Sequence, residues 1–336
     1  MAYSSEVKLL IVAPAWVGDM VMAHSLIQSL SSRPIAKTID VLAPPSTLPI
    51  ASRMKEVRKT YTLDVGHGRL GLSARMKAAA LMREESYDEA YVLPNSWKSA
   101  LVPFLARIKK RVGWVGEMRY GILNDVRPLD KKALPLMVER YSALSINTVE
   151  QFVRPALDPV LDYDSENRSR LVSKYNLSTT GAIALAPGAE FGPAKKWPIS
   201  YFADVAKYFL EIGRQVWLLG SKKDESDCEF IENKASDVIN LAGQTSLEDV
   251  VDIISLADAL VCNDSGLMHV SAALNTKTVA LFGSTSDEYT PPLSSNSVVV
   301  SRKMDCRPCF QRVCPLGHMD CLKKIEPTEI ISILDI

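Results

Sequence analysis

The stretch Val261-Cys262-Asn263-Asp264-Ser265-Gly266-Leu267-Met268-His269 joins a short apolar segment to a run with helical spacing that continues to Leu274. Ser265 or Asp264 is suited to cap that helix, and Gly266 leaves its first turn uncovered. The first N–H groups of a helix lack an intrahelical partner, and the positive end of its dipole favours an anion such as a diphosphate. His269 lies four residues after Ser265 and so shares its face. Taken alone, the stretch fits a capped helix with a buried histidine as well as it fits an anion site. Its larger message is a buried strand feeding directly into a helix.

The same alternation extends outward in both directions. Towards the carboxyl terminus, residues 278–282 read as a further strand ending in Gly283-Ser284-Thr285. Towards the amino terminus come strands at 182–186, 215–219 and 238–241, with helices at 200–212, from about 224 to 235, and at 246–255. The first 150 residues repeat the pattern, with strands at 7–13, 38–43, 57–63 and 87–93. Helices there are expected at 19–31 and 70–84, with a loop at Gly66-His67-Gly68 and a further helix at 131–146. Alternating strand and helix signals predict doubly wound parallel sheets. The polar run through Pro155, Asp158 and Pro159 to Ser169 marks a boundary. The expected fold is α/β of the GT-B kind, two Rossmann-like lobes facing a central cleft: an amino-terminal lobe over 1–160 and a carboxyl-terminal lobe over 175–336. In such sheets ligands sit beyond the carboxyl ends of the strands.

The 336 residues are 47% hydrophobic and 23% charged, with formal net charge zero. This is the composition of an ordinary globular chain, and it argues against a general polyanion surface and so against nucleic acid as partner. No stretch reaches the ~18 apolar residues of a membrane helix. The apolar residues 9–17 are no longer than one buried strand, and Glu6 cancels Lys8, so they read as the first strand of a cytoplasmic protein rather than a signal peptide.

Several strand-end loops carry chemistry. Residues 187–198, Pro-Gly-Ala-Glu-Phe-Gly-Pro-Ala-Lys-Lys-Trp-Pro, combine a constrained path from Gly188 onward with Lys195 and Lys196, which suit phosphate oxygens. Gly220-Ser221-Lys222-Lys223-Asp224 and Leu241-Ala242-Gly243-Gln244-Thr245 stand where a nucleoside would lie. After the first strand comes Trp16-Val17-Gly18-Asp19; Asp19 is a helix cap or a general base that takes the proton of a sugar hydroxyl. Between 97 and 127, Lys98, Arg107, Lys109, Lys110, Arg111, Arg119 and Arg127 alternate with Trp97, Trp114 and Tyr120. That region is either a solvated face or a patch for a phosphorylated acceptor at a membrane surface. No Gly-x-Gly-x-x-Gly follows the first strand and no Walker A motif is present, which disfavours an oxidoreductase or a P-loop enzyme. No Asp-x-Asp stands at a strand end, so catalysis is expected to need no metal.

Cys228 and Cys262 read as isolated buried thiols. Cys306, Cys309, Cys314 and Cys321, with His318 among them, have spacing compatible with a structural four-thiolate zinc site, with free thiols, or with disulfides. This 306–321 segment is expected to lie away from the chemistry.

Long ordered matches then carry a resemblance over nearly the whole chain: Pro14 through Met20, Tyr91 through Phe104, Gly116 through Gly121, and the 187–198 and 263–269 stretches already quoted. The chain resembles the ADP-heptose:lipopolysaccharide heptosyltransferases, their type II branch most closely. The resemblance implies a GT-B fold with an acceptor lobe followed by a donor lobe, and inverting transfer of L-glycero-D-manno-heptose from ADP-heptose. The implied acceptor is the first heptose of the inner core on Kdo2-lipid A; a type I enzyme, or a related core transferase with another acceptor, is the alternative. It further implies a Gram-negative cytoplasm, with the protein peripheral at the inner face of the inner membrane. Asp19 matches the family base. Gly188, Lys195, Lys196, Gly243, Asp264, Ser265, Gly266, Leu267 and His269 are expected to bind the donor, with Asp264 holding donor hydroxyls. Trp16, Gly18, Asn95, Lys98 and Arg119 are expected to bind the acceptor.

Overall fold

Leu9, Leu10 and Ile11 are completely buried, as are Leu260, Val261 and Cys262 far along the chain. Each trio lies in the middle of a parallel sheet covered on both faces, which is why these strands are continuously apolar rather than alternating. A computed structural model of the chain describes residues 6–35, 37–66 and 68–335; His67 of the expected 66–68 loop lies outside them. The chain divides into two compact units, Met1–Leu161 and Asp162–Ile336.

The first unit holds strands β1 (Val7–Val12), β2 (Lys37–Ala43), β3 (Val57–Thr62), β4 (Glu89–Val92), β5 (Lys110–Trp114) and β6 (Asp125–Arg127). They pair in the order β3-β2-β1-β4-β5-β6, all parallel. The second unit holds β7 (Ile183–Ala186), β8 (Val216–Leu218), β9 (Ile239–Asn240), β10 (Ala259–Asn263), β11 (Lys277–Phe282) and β12 (Ser297–Ser301). Their order is β12-β11-β10-β7-β8-β9, also all parallel. Read from β9, the second sheet repeats the topology of the first. Each therefore reverses its winding once, between β1 and β4 and between β7 and β10. Ligands of doubly wound sheets bind beyond the strand ends at such a reversal.

Several elements depart from the sequence expectation. The helix expected over 131–146 is confined to Met137–Ser142, followed by a 3-10 turn at Ala143–Ser145. Pro135 lacks a donor and pushes its predecessor out of helical geometry. Strands β5 and β6 fall where the pattern had weakened, because they lie towards the sheet edge and β6 buries none of its residues fully. The polar boundary run contains a helix, Ser165–Tyr175, which buries only Leu171. Its start is set by Asp164, whose side chain accepts from the Glu166 and Asn167 N–H groups. The final helix, Pro327–Leu334, places Ile330 and Leu334 in the core of the second unit.

Candidate active site

Most of the residues singled out in the sequence lie at the two winding reversals; Arg119 follows β5 and Gly243 follows β9. Asp19 follows β1, and Asn95 and Lys98 follow β4. Gly188, Lys195 and Lys196 follow β7, and Asp264 through His269 follow β10.

In the first unit Asp19 is the third residue of helix Val17–Ser31, whose N-cap position is Trp16. It is therefore not the helix cap. Among the described residues, no hydrogen bond or ion pair engages its carboxylate. Burial without a compensating cation raises its pKa from 3.8 to about 6. Such a carboxylate is ionised at neutral pH yet more basic than an exposed one, a combination suited to taking a proton. Trp16 beside it is 58% exposed, an unusual state for so large an apolar side chain.

Arg119 behaves differently from the expectation. It is buried, and its guanidinium donates to Trp114 O at 2.6 Å, Pro94 O at 2.5 Å and Asn95 Oδ1 at 3.2 Å. Engaged in this way, it shapes the loop after β4 rather than offering charge to an acceptor. The other cations of the region also divide. Arg111 donates to Ile122 O, and Arg127 pairs with Asp125 at 2.8 Å. Arg107 and Lys109, just before β5, are exposed; so, elsewhere in the region, are Trp97, Phe104, Met118 and Tyr120. Sequence could not sort these arginines, because a guanidinium serving buried carbonyls and one serving solvent look identical in one dimension.

In the second unit the helix Gly266–Ala273 begins directly after β10. Ser265 occupies the N-cap position but its side chain makes no capping bond. Asp264 does not cap either. Its Oδ2 accepts from Lys195 Nζ at 2.5 Å and from Thr285 Oγ1 at 2.5 Å. Asp264 thus anchors Lys195 through Oδ2. Lys195 also reaches the Asp264 carbonyl at 3.4 Å, and an ammonium has three N–H groups, so one remains for a third acceptor. Lys196 is drawn away from this cluster by Asp227, at 2.7 Å. The two neighbouring lysines, equivalent in the sequence, are separated by their partners. Thr285 was missed as a functional residue; its one signal was a hydroxyl immediately beyond a buried strand adjacent to β10.

His269 is buried, and its pKa is lowered to about 4, first by burial and secondarily by Lys195, against an opposing pull from Asp264. It is therefore neutral near pH 7. Gly188 and Gly243 are held glycine by neighbours. A Cβ on Gly188 would stand 2.5 Å from the Asp224 carboxylate, which caps the turn after β8. Gly243 adopts φ +69°, and a Cβ there would meet Glu225 at 2.3 Å.

The cysteine segment lies closer to this site than expected. Ala194 N donates to Arg312 O at 3.0 Å, Phe310 N to Ser284 O at 2.8 Å and Arg307 Nε to Gly283 O at 2.8 Å. It therefore braces both loops whose side chains meet at Asp264. Cys306, Cys309, Cys314 and Cys321 line one small pocket, all as free, half-buried thiols. Among the described residues, however, no group of three or more His, Cys, Asp or Glu side chains is arranged to hold a metal ion, so the zinc reading gains no support from the geometry. Backbone N–H groups, led by that of Met319, lower the Cys314 pKa, whereas burial raises Cys321. Burial also pushes Cys228 up to about 12 and raises Cys262. Ellman titration of the reduced native protein should accordingly count four accessible thiols, Cys314 reacting first, with the other two appearing only on unfolding. A count below four that a chelator restores would reinstate the metal.

Two all-parallel sheets of identical winding, with the chemistry-bearing loops beyond their strand ends, give the chain the α/β architecture of the GT-B glycosyltransferases. The chain belongs to glycosyltransferase family 9 (heptosyltransferase), whose family model matches residues 75–320. It is 47% identical over 304 residues to lipopolysaccharide heptosyltransferase 2 of Escherichia coli K12, covering 87% of each chain. To lipooligosaccharide heptosyltransferase 2 of Haemophilus ducreyi it is 44% identical over 308 residues, covering 87% of this chain and 88% of the relative. The solved structure of E. coli ADP-heptose lps heptosyltransferase II matches with a TM-score of 0.87 and 42% identity, covering 98% of both chains. Among the described residues, no helix is long and apolar enough to cross a membrane.

Proposed function

We propose that this chain transfers L-glycero-D-manno-heptose from ADP-heptose to the first heptose of the lipopolysaccharide inner core, with inversion at the anomeric carbon. The observation that carries the reading is Asp19, a half-buried carboxylate with raised basicity and no partner among the described residues, at the winding reversal of the first sheet. In this scheme the first unit serves the acceptor and the second the donor. The acceptor oxygen bonds to the anomeric carbon, its proton passes to Asp19, and the bond to the diphosphate breaks. Charge that develops on the departing ADP meets the N–H groups of Ser265 through Met268 and the third N–H of Lys195. Fixed donors at that place lower the barrier because they interact most strongly with the transition state. Gly188 and Gly243 let the loops after β7 and β9 pack against Asp224 and Glu225, and neutral His269 offers a hydrogen bond rather than a charge.

On the acceptor side, Trp16, Gly18, Asn95 and Lys98 line the loops after β1 and β4, and Arg119 holds the Asn95 loop in shape. The outward cations and exposed Trp97, Phe104, Met118 and Tyr120 suit a phosphorylated glycolipid presented at the inner face of a membrane. The names of the relatives quoted above favour this type II reading over a type I enzyme. The deciding assay offers ADP-heptose with Kdo2-lipid A bearing or lacking the first heptose. Turnover is expected only with the heptosylated acceptor; turnover only with the bare one would assign a type I activity.

Leaving-group stabilisation in this scheme comes from protein N–H groups and a lysine alone. Transfer should therefore proceed at an unchanged rate in excess EDTA, and a loss restored by added divalent cation would overturn metal-free catalysis.

A further inference from the structure

Asn263, the last residue of β10, is completely buried and makes no contribution to the scheme above. Its side-chain amide faces two main-chain groups from the loop after β7. Nδ2 donates to Pro187 O at 2.7 Å, and Oδ1 accepts from Trp197 N at 2.9 Å. These two partners bracket residues 188–196 at either end, so the amide bridges the mouth of the loop much as a peptide group would. Beyond Trp197 the anchorage continues: its indole is buried and donates to Ile325 O at 2.9 Å, and its ring packs edge-on against Phe202. The next residue after Asn263 is Asp264, which binds Lys195 near the far end of the same loop.

We propose that Asn263 is a positioning residue for the donor site, closing residues 187–197 into a fixed ring that delivers Lys195 to Asp264. The chemistry demands this residue type. The Pro187 carbonyl can only accept and the Trp197 N–H can only donate, and an amide supplies one of each at the right separation. Aspartate has the same shape but presents a second acceptor to Pro187 O and buries a charge. Alanine leaves both main-chain groups buried and unpaired. A loop rich in glycine and proline holds its path only where such bonds over-determine it, and the single ammonium it carries is useful at one place. The inference rests on the reading of this loop as part of the donor site.

The test is a double-mutant cycle read by calorimetric affinity for ADP, together with KM and kcat for ADP-heptose. Asn263→Ala should weaken ADP binding about tenfold and raise KM more than it lowers kcat. In a Lys195→Ala background the same change should alter ADP affinity less than about twofold, because the ring then has no lysine to deliver. Equal effects in both backgrounds, or unchanged affinity in folded Asn263→Ala, would overturn the proposal. Asn263→Asp provides a second arm that does not depend on recovering the alanine variant. Its deficit relative to wild type should narrow as pH falls, since the protonated acid regains a donor for Pro187 O; a deficit constant with pH would count against the bridge. The outcomes also separate the two levels of inference. Normal ADP affinity in Lys195→Ala would remove the donor-site reading itself, whatever Asn263 does.

Discussion

Asp19→Asn should abolish heptose transfer, with turnover reduced about 1000-fold or more, while ADP binding stays within experimental error of wild type. General-base assistance contributes about 10²–10⁴ in rate, and asparagine keeps the shape of aspartate without its basicity. The pH dependence follows from the same residue. Burial holds the Asp19 carboxyl at a pKa of about 6, so kcat/KM should rise with pH through that value and level above it. The residual rate of Asp19→Asn should lack that inflection. His269 adds none above pH 5, because its own pKa lies near 4. Stability gives an independent check with a definite sign. The folded carboxyl binds its proton more tightly than the unfolded one, whose pKa is 3.8. Stability associated with Asp19 is thus fully present below 3.8 and lost as pH rises through about 6. Asp19→Asn should therefore melt higher than wild type above pH 6, by on the order of 1 kcal/mol, and the advantage should vanish in acid. Loss of ADP binding together with turnover would instead make Asp19 a donor ligand or a structural group.

Lys195→Ala should lower kcat/KM for ADP-heptose about 100-fold or more and weaken ADP binding, whereas Lys196→Ala should stay within about threefold of wild type. The contrast arises entirely from the partners. Lys195 is held by Asp264 at the start of helix Gly266–Ala273, where the leaving diphosphate is proposed to sit, and Lys196 is paired with Asp227 at 2.7 Å. Removing Lys195 also strands a buried carboxylate, so the variant should melt earlier; affinity is to be measured below its transition. Arginine at 195 should restore little, because a planar fork cannot reproduce an ammonium seated between Asp264 and a third acceptor. If Lys196→Ala proves the more damaging change, the two roles are reversed and Asp264 no longer defines the donor site.

The division between sequence and tertiary structure follows from what each residue pattern encodes. Unbroken apolar strands alternating with helices made the two parallel sheets legible, because strands buried on both faces are mostly apolar and admit a polar residue only where it finds a partner. The same pattern located the loops after β1, β7 and β10, since a buried strand must end where Gly, Pro and charge begin. Elements with slight burial escaped it, as β6 and the helix Ser165–Tyr175 with its single buried leucine did, and β5 did because its buried residues follow the cations Lys110 and Arg111.

By itself, then, the sequence determined the α/β class, the family and where the loops after β1, β7 and β10 fall, with Asp19 and the 263–269 stretch in them. Only the tertiary structure decided what individual side chains do there. It set Asp264 to anchor Lys195, drew Lys196 to Asp227, and engaged Arg119 on buried carbonyls. It set the cysteine segment against the loops after β7 and β11 and revealed the buried bridge made by Asn263. The physical reason is that backbone alternation is written locally, in the order of apolar and polar residues. The partner of a charge or an amide is chosen across 31 positions of chain for Lys196 and 66 to 76 for Asn263, by packing that no local pattern records.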